Sequence, residues 1–574
     1  MRHTWRKSIS LLLICFLGLV SCVGGEKENT SESESNFTSD DGAESETVSG
    51  HDAETDDETD TSWENAAAVV EAAGLIPDDE NAAESNLNLL NTLIDGASSD
   101  TVIRLPSGTY FMASNQISGG ILLVGKNRIA LEGQGTQLIN VSYDDTVYQS
   151  DEDYPLSNVF GIYGCENIVI RGITVRYRSP SSLSGVITGY DGERTVIKAL
   201  SGNAAAGGEY VYCVSLFSED NVPGDECYLS NTSTDDLIHV ADDTYSFAGK
   251  YGSVGDRICL RFTSATYAAP LFNIIGVGGL TLADITVSGC PGAVCIATGD
   301  NRNMTLERIR VVSPDDREFL FSSNQDGFHI KSMRGSLIMR DCTFVGLGDD
   351  ALNIHALMGR VESVNGSTVT VTTPGTSSAM DAGWAQAGDE IAFYDEKLNL
   401  LGVSNVVRSS QGSLELDAVP DGAGEGTLLH NRSNAPDVTI SGCYVERSRA
   451  RAFLIQSKTA VIQNCTLRNI RLSGILVAPD TRNWYEMGPV QEVTVSGCTF
   501  EQVGTVTGDH AAVCVRVCHD STSLLGGTEP IHGSISVTGN TFVNCRHAVF
   551  IRRAASASVQ NNTYERCRFK EDIE

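Results

Sequence analysis

The chain has 574 residues, with 74 Asp and Glu against 40 Lys and Arg, a formal charge of −34, and 41% hydrophobic residues. That length allows a large core and more than one domain. The acidity excludes nucleic acid as the expected partner, because holding phosphates needs clustered Lys and Arg.

MRHTWRKSISLLLICFLGLVSC carries Arg2, Arg6 and Lys7, then an apolar run too short for a permanent membrane span, so residues 1–22 read as a signal peptide. Leu19-Val20-Ser21-Cys22 resembles a bacterial lipobox, which implies cleavage before Cys22 and a lipid on its thiol. The expected location is the cell envelope, on the outer membrane at its surface or periplasmic side, with the lipid as the only membrane attachment. From Glu26 to Asp60 there are 14 acidic residues and one Lys. Such a stretch cannot bury enough surface to offset its ordering entropy, so 23–62 reads as a disordered tether.

Residues 63–177 read as a cap followed by the first rungs of a repeat. WENAAAVVEAAG and AESNLNLLNTLIDGA have helical periodicity, and VIRLPSGTYFM reads as a first strand. A helix is expected there to cover the open end of the repeat. The repeat itself is apolar-x-apolar-x-(Gly/Asp/Asn)-(Cys/Asn/Ile)-x-apolar. It starts at Ile168, Leu280, Met304, Leu337, Val438, Ala460, Val493, Ile535 and Ala557. Its tightest steps are 22 and 24 residues. Short alternating strands at that period predict an all-β fold, a right-handed parallel β-helix.

Two steps of the ladder are too long. The excess at 178–270 and at 357–432 is itself strand-rich, and both contain GD-x-I, so two related small β-barrels are expected as insertions. Between and after them, 271–356 and 433–574 read as further rungs. Cys342, Cys443, Cys465 and Cys498 share the sixth position of the repeat and are expected to stack inside as buried thiols. Cys290/Cys295 and Cys514/Cys518 are expected to be free rather than paired. No cysteine–histidine spacing suggests a zinc site, and no metal or cofactor is expected.

Asp326 in NQDG and Asp349-Asp350 in GDDA lie 23 and 24 positions apart, one rung. Neighbouring rungs are about 4.8 Å apart, so these carboxylates are expected to stack. A merely structural turn would avoid that, because close like charges repel and raise one another's pKa. In the strands that follow, Phe328, Ile330, Leu352, Ile354, Phe453 and Ile455 are expected to face the core. His329, Lys331, Asn353, His355 and Gln456 then face outward, with Arg451 at the turn, as a sugar-binding floor. Trp484 in DTRNWYEMG is a candidate for stacking on a sugar ring. Clustered carboxylates without a nucleophile suit glycoside hydrolysis, in which one carboxyl protonates the leaving oxygen and another deprotonates water.

NQDG followed by GDDA resembles the Asp pattern of the β-helical polygalacturonases, glycoside hydrolase family 28. The 23- and 24-residue spacings, the LPSGTY start and the two insertions resemble glycoside hydrolase family 110 more closely. That resemblance covers the chain from about residue 65 onward. It implies an inverting exo-α-1,3-galactosidase acting on galactose-terminated glycans of blood-group-B type. By the same resemblance Asp326, Asp349 and Asp350 are catalytic, here with Asp349 as acid and Asp326 and Asp350 holding the water. The Gly-His-Gly and Arg-x-Lys of the polygalacturonases are missing, which favours a neutral sugar. Two other classes remain open at this point: a calcium-dependent β-helical polysaccharide lyase, which would need an Arg or Lys base and an anionic substrate, and a non-catalytic glycan-binding adhesin.

Overall fold

The computed structural model describes residues 61–113, 120–141, 158–229, 233, 235–262, 270–374, 379–506, 512–519 and 527–574. Cys22 and all but the end of the acidic tether lie outside them. No helix among the described residues is long and apolar enough to cross a membrane.

The chain winds into a parallel β-helix. The nine repeats found in the sequence are consecutive rungs: Ile168, Leu280, Met304, Leu337, Val438, Ala460, Val493, Ile535 and Ala557 are register partners along one ladder. The fifth residue of each repeat turns the corner in the left-handed region. Gly172, Asp284, Asp341, Gly442, Asn464, Gly497, Gly539 and Asn561 all have positive φ, a conformation that favours Gly, Asn and Asp. Arg308 is the exception (φ 52), and its guanidinium is tied back to Asp284 of the preceding rung at 2.6 Å. The sixth side chain fills the corner. Cys342, Cys443, Cys465 and Cys498 are buried free thiols there, and lower down the amides take over, with Asn562 Oδ1 accepting from the Asn540 backbone N–H at 2.9 Å. Cys290, Cys295, Cys514 and Cys518 are free as well.

A further parallel ladder carries the strands Phe328–Lys331, Leu352–Asn365 and Phe453–Ile455 as neighbours. Phe328, Ile330, Leu352, Ile354, Phe453 and Ile455 point into the apolar interior shared by all rungs. At the N-terminal end the helix Ala83–Gly96 covers the coil through Leu87, Leu90 and Ile94. The helical reading of WENAAAVVEAAG is corrected. Only Ser62–Ala66 is a 3-10 turn, and Ala68–Glu71 is a strand parallel to Thr101–Leu105. Its β-branched Val69 and Val70 suit an edge strand, and Trp63 closes over Val102, Ala130 and Val169. The first strand is in fact two, Thr101–Leu105 and Gly108–Met112, interrupted at Pro106 and Ser107.

Both insertions are antiparallel β units with cores of their own. The first is a seven-stranded sheet from Ser182–Asp191 to Arg257–Arg261 whose end strands, Pro223–Tyr228 and Leu237–Ala241, do not pair with each other among the described residues. Among the described residues the first insertion is therefore an open sheet and not a closed barrel. In the second, antiparallel pairing runs from the long strand Leu352–Asn365 through Thr368–Thr372, Ser413–Leu416, Leu400–Ser410, Glu390–Tyr394 and Leu428–Asn431, and returns to Leu352–Asn365.

Adjacent rungs approach closely beside the Asp turns. A Cβ on Gly348 would lie 1.9 Å from the Asn324 carbonyl oxygen, and one on Gly327 2.4 Å from that of Ala351. Gly348→Ala is accordingly expected to force the two turns apart. It should cost about 1–3 kcal/mol or more, read as a lower urea midpoint.

Candidate active site

Asp326, Asp350 and Arg451 occupy one column, each two residues ahead of the register partners Phe328, Leu352 and Phe453. Asp326 and Asp350 are buried, while Asp349 keeps 17% of its side chain open to solvent. One oxygen of each of the three carboxylates lies within 4.8 Å of the others. Asp326 Oδ1 accepts the backbone N–H of Asp350 at 3.1 Å, and its Oδ2 is 3.0 Å from His329 Nδ1. Asp350 Oδ1 accepts both the backbone N–H and Nε of Arg451, each at 2.8 Å. Its Oδ2 is buried with no hydrogen-bond partner among the described residues. Asp349 Oδ2 accepts from Arg449 at 2.6 Å.

These surroundings set the protonation states apart. Burial, reinforced by the Asp349 charge, pushes Asp326 well above the usual carboxylate range. Burial, only partly offset by Arg451, and then the charges of Asp349 and Asp326 push Asp350 up to about 7. Burial also works against the Asp349 charge, but Arg449, followed by Arg451 and Arg261, holds that carboxyl below its ordinary range. An ionised and a protonated carboxyl thus stand side by side near neutral pH, which is what acid–base catalysis requires.

The outward residues of the neighbouring strands are brought to the trio, but as a covered layer rather than an open floor. His329, Asn353, His355 and Gln456 are all off the core face and all buried; Lys331 is half-buried beside its register partner His355. His329 and His355 face each other with their Nε2 atoms 3.2 Å apart. Glu486 lies against them, 3.6 Å from His355 Nε2, and accepts from Asn353 at 3.4 Å and Gln456 at 3.0 Å. His329, His355 and Glu486 each offer one atom to a space in which a metal ion would fit. Arg451 serves Asp350 as an ion-pair partner. Trp484 is not drawn into this network. It is 74% exposed, on a turn whose amides bond to Asp480.

Four functional candidates are new. Glu486 comes two residues after Trp484, on the short strand Glu486–Met487 that pairs with Ala356 and Leu357. Arg449 lies in the turn ahead of the third rung. Glu226 and Arg261 come from the first insertion. Glu226 Oε2 accepts from Arg449 at 2.9 Å and Oε1 accepts from Arg261; Arg261, fully buried, also donates to the Asn324 carbonyl at 3.1 Å. Gln325 donates to the Tyr212 hydroxyl at 3.2 Å. The insertion thus grips both Asp turns. Only "RSRARA", a basic turn one rung below the Asp pair, is a signal that could have pointed to Arg449.

Residues 425–570 match the model of a right-handed β-helix region. The chain is 28% identical over 277 residues to an α-1,3-galactosidase A of Bacteroides fragilis, covering 46% of this chain and 45% of that protein. It is 28% identical over 255 residues to one of Akkermansia muciniphila, covering 42% and 41%. To an α-1,3-galactosidase B of Bacteroides thetaiotaomicron it is 21% identical over 286 residues, covering 47% and 46%. The chain spans about half the length of the curated relatives it matches.

Proposed function

We propose that the protein is a glycoside hydrolase that removes terminal α-1,3-linked galactose from glycans with inversion. The observation that carries this reading is the Asp trio, in which Asp349 is held ionised by Arg449 while buried Asp350 keeps a proton up to about pH 7. The similarity to α-1,3-galactosidases supports the choice of sugar and linkage.

Asp349 is the carboxyl that meets the glycosidic oxygen, because it alone of the three is open to solvent. A substrate covering it removes water and raises its pKa, so the proton resting on the buried pair passes to Asp349. Asp350, now a carboxylate beside Arg451, takes a proton from water through its unpartnered Oδ2. The water oxygen bonds to the anomeric carbon as the glycosidic bond breaks, and the Asp349 proton goes to the leaving oxygen. The three oxygens lie within 4.8 Å of one another, closer than the usual inverting separation of about 6.5–9.5 Å, so inversion here requires Asp326 and Asp350 together to hold the water on the face of the sugar opposite the Asp349 proton.

The test is incubation with an α-1,3-galactosyl oligosaccharide, followed by proton NMR from the first minutes. Free galactose should appear first as the β-anomer, and polygalacturonate should be untouched. First release of the α-anomer would reject inversion, and fragments from polygalacturonate would replace galactose by a uronic acid as the substrate.

A further inference from the structure

We propose that His329, His355 and Glu486 form a binding site for one divalent transition-metal ion of the zinc type, beside the Asp trio. The ligand atoms are His329 Nε2, His355 Nε2 and Glu486 Oε1. Two imidazole nitrogens on a tetrahedral zinc ion stand about 3.3–3.4 Å apart, as Zn–N bonds of about 2.0–2.1 Å require; here they are 3.2 Å apart. The carboxylate oxygen is 3.6 Å from His355 Nε2, within a few tenths of what a third ligand needs.

The outer contacts fit the same role. His329 Nδ1 faces Asp326 Oδ2 at 3.0 Å, and His355 Nδ1 faces the Ala356 carbonyl at 3.1 Å. A carbonyl or an ionised carboxylate on the far nitrogen is what sets a metal-ligating histidine, because it places the proton on Nδ1 and the lone pair on Nε2; the Ala356 carbonyl does this for His355, and Asp326 does it for His329 in its ionised form. With both protons so placed, two lone pairs point at each other, an arrangement that a cation between them relieves. Glu486 is oriented in turn by the amide N–H groups of Asn353 and Gln456, whose amide oxygens have no partner. Glu486 is buried, with Oε1 3.6 Å from His355 Nε2. Two neutral nitrogens and one carboxylate suit zinc and its neighbours better than calcium or magnesium. Three protein ligands leave a position for water or a sugar hydroxyl.

The experiment measures metal, not turnover, so it stands apart from the proposed galactosidase activity. Full-length protein is stripped with dipicolinate and titrated with Zn2+ against a chromophoric competitor, and with Co2+ by its visible absorption. His355→Ala and Glu486→Gln are treated alike. The expected result is one equivalent per chain in the wild type, with affinity at least tenfold weaker in both variants. The isosteric Glu486→Gln decides if His355→Ala does not fold by circular dichroism. Two results would overturn the proposal. One is no stoichiometric uptake, which would leave a proton relay from Asp326 through the two imidazoles. The other is uptake unchanged in the variants, which would place the metal elsewhere, with the Asp trio the first place to look.

Discussion

Asparagine at Asp326, Asp349 or Asp350 is expected to leave the β-helix folded and to lower galactose release from an oligosaccharide by about 10²–10⁴-fold at each position, the usual worth of a positioned acid or base. Asn is isosteric and tolerates the same turns, so circular dichroism and the melting transition should stay near the wild type. Removing the like charge at the buried Asp350 should, if anything, ease the fold. The Asp349→Asn, Asp350→Asn double variant should lose far less than the product of the single losses, because groups acting on one step are not additive. The two roles separate with a nitrophenyl galactoside, whose leaving group departs without a proton. Asp349→Asn should recover most of its rate on that substrate, and Asp350→Asn, which cannot deprotonate water, should not. Recovery in Asp350→Asn instead would exchange the two roles. Near-normal rates on oligosaccharide in any single variant would remove that residue from the site.

Most of the rung architecture is legible from sequence because the β-helix repeats its physical demand at every turn. Each corner takes a residue in the positive-φ region, then an Ile, Cys or Asn side chain to fill the bend, and nine repeats of that pair place Asp326 under Asp350 without coordinates. The inward and outward alternation of FHI and LNI follows from the strand period alone. Solvent exposure is not legible in the same way. The outward histidines read as a floor, but Glu486 returns over them from 133 positions beyond Asn353 and closes the layer. The cap shows a different failure. Alanine-rich WENAAAVVEAAG has helical spacing, yet the open edge of Thr101–Leu105 offers a strand partner, and tertiary pairing overrides local preference. Glu226 has no sequence signal at all, since it lies 223 positions before Arg449 and inside an insertion whose own strands explain it equally well.

That concealed contact leads to the largest effect expected away from the trio. Arg449 is shared between Asp349 at 2.6 Å and Glu226 at 2.9 Å, and Glu226 is also bonded to the buried Arg261. Glu226 therefore offsets part of the positive field that reaches Asp349. In Glu226→Gln that offset is lost, both guanidinium charges bear on Asp349, and its carboxylate is favoured further. In Arg449→Gln the nearest cation is gone and the protonated form is favoured. The working enzyme needs the proton that Asp350 passes to Asp349, and Asp350 loses it as pH rises through about 7, so kcat/KM on oligosaccharide should fall along an alkaline limb near that pH. The limb belongs to the coupled carboxyls rather than to one of them. A field that favours carboxylate moves it down, and a field that favours the acid moves it up. Glu226→Gln should shift it to lower pH and Arg449→Gln to higher pH, each on the order of one unit, about 1.4 kcal/mol. At pH 7 the first should lose roughly fivefold in rate on oligosaccharide, the change in protonated fraction that one unit makes at the midpoint, and little on nitrophenyl galactoside. A purely structural role for the insertion would lower rates on both substrates and leave the two pH profiles superimposed. Shifts in the same direction would show that Glu226 and Arg449 do not act on the trio as opposing charges.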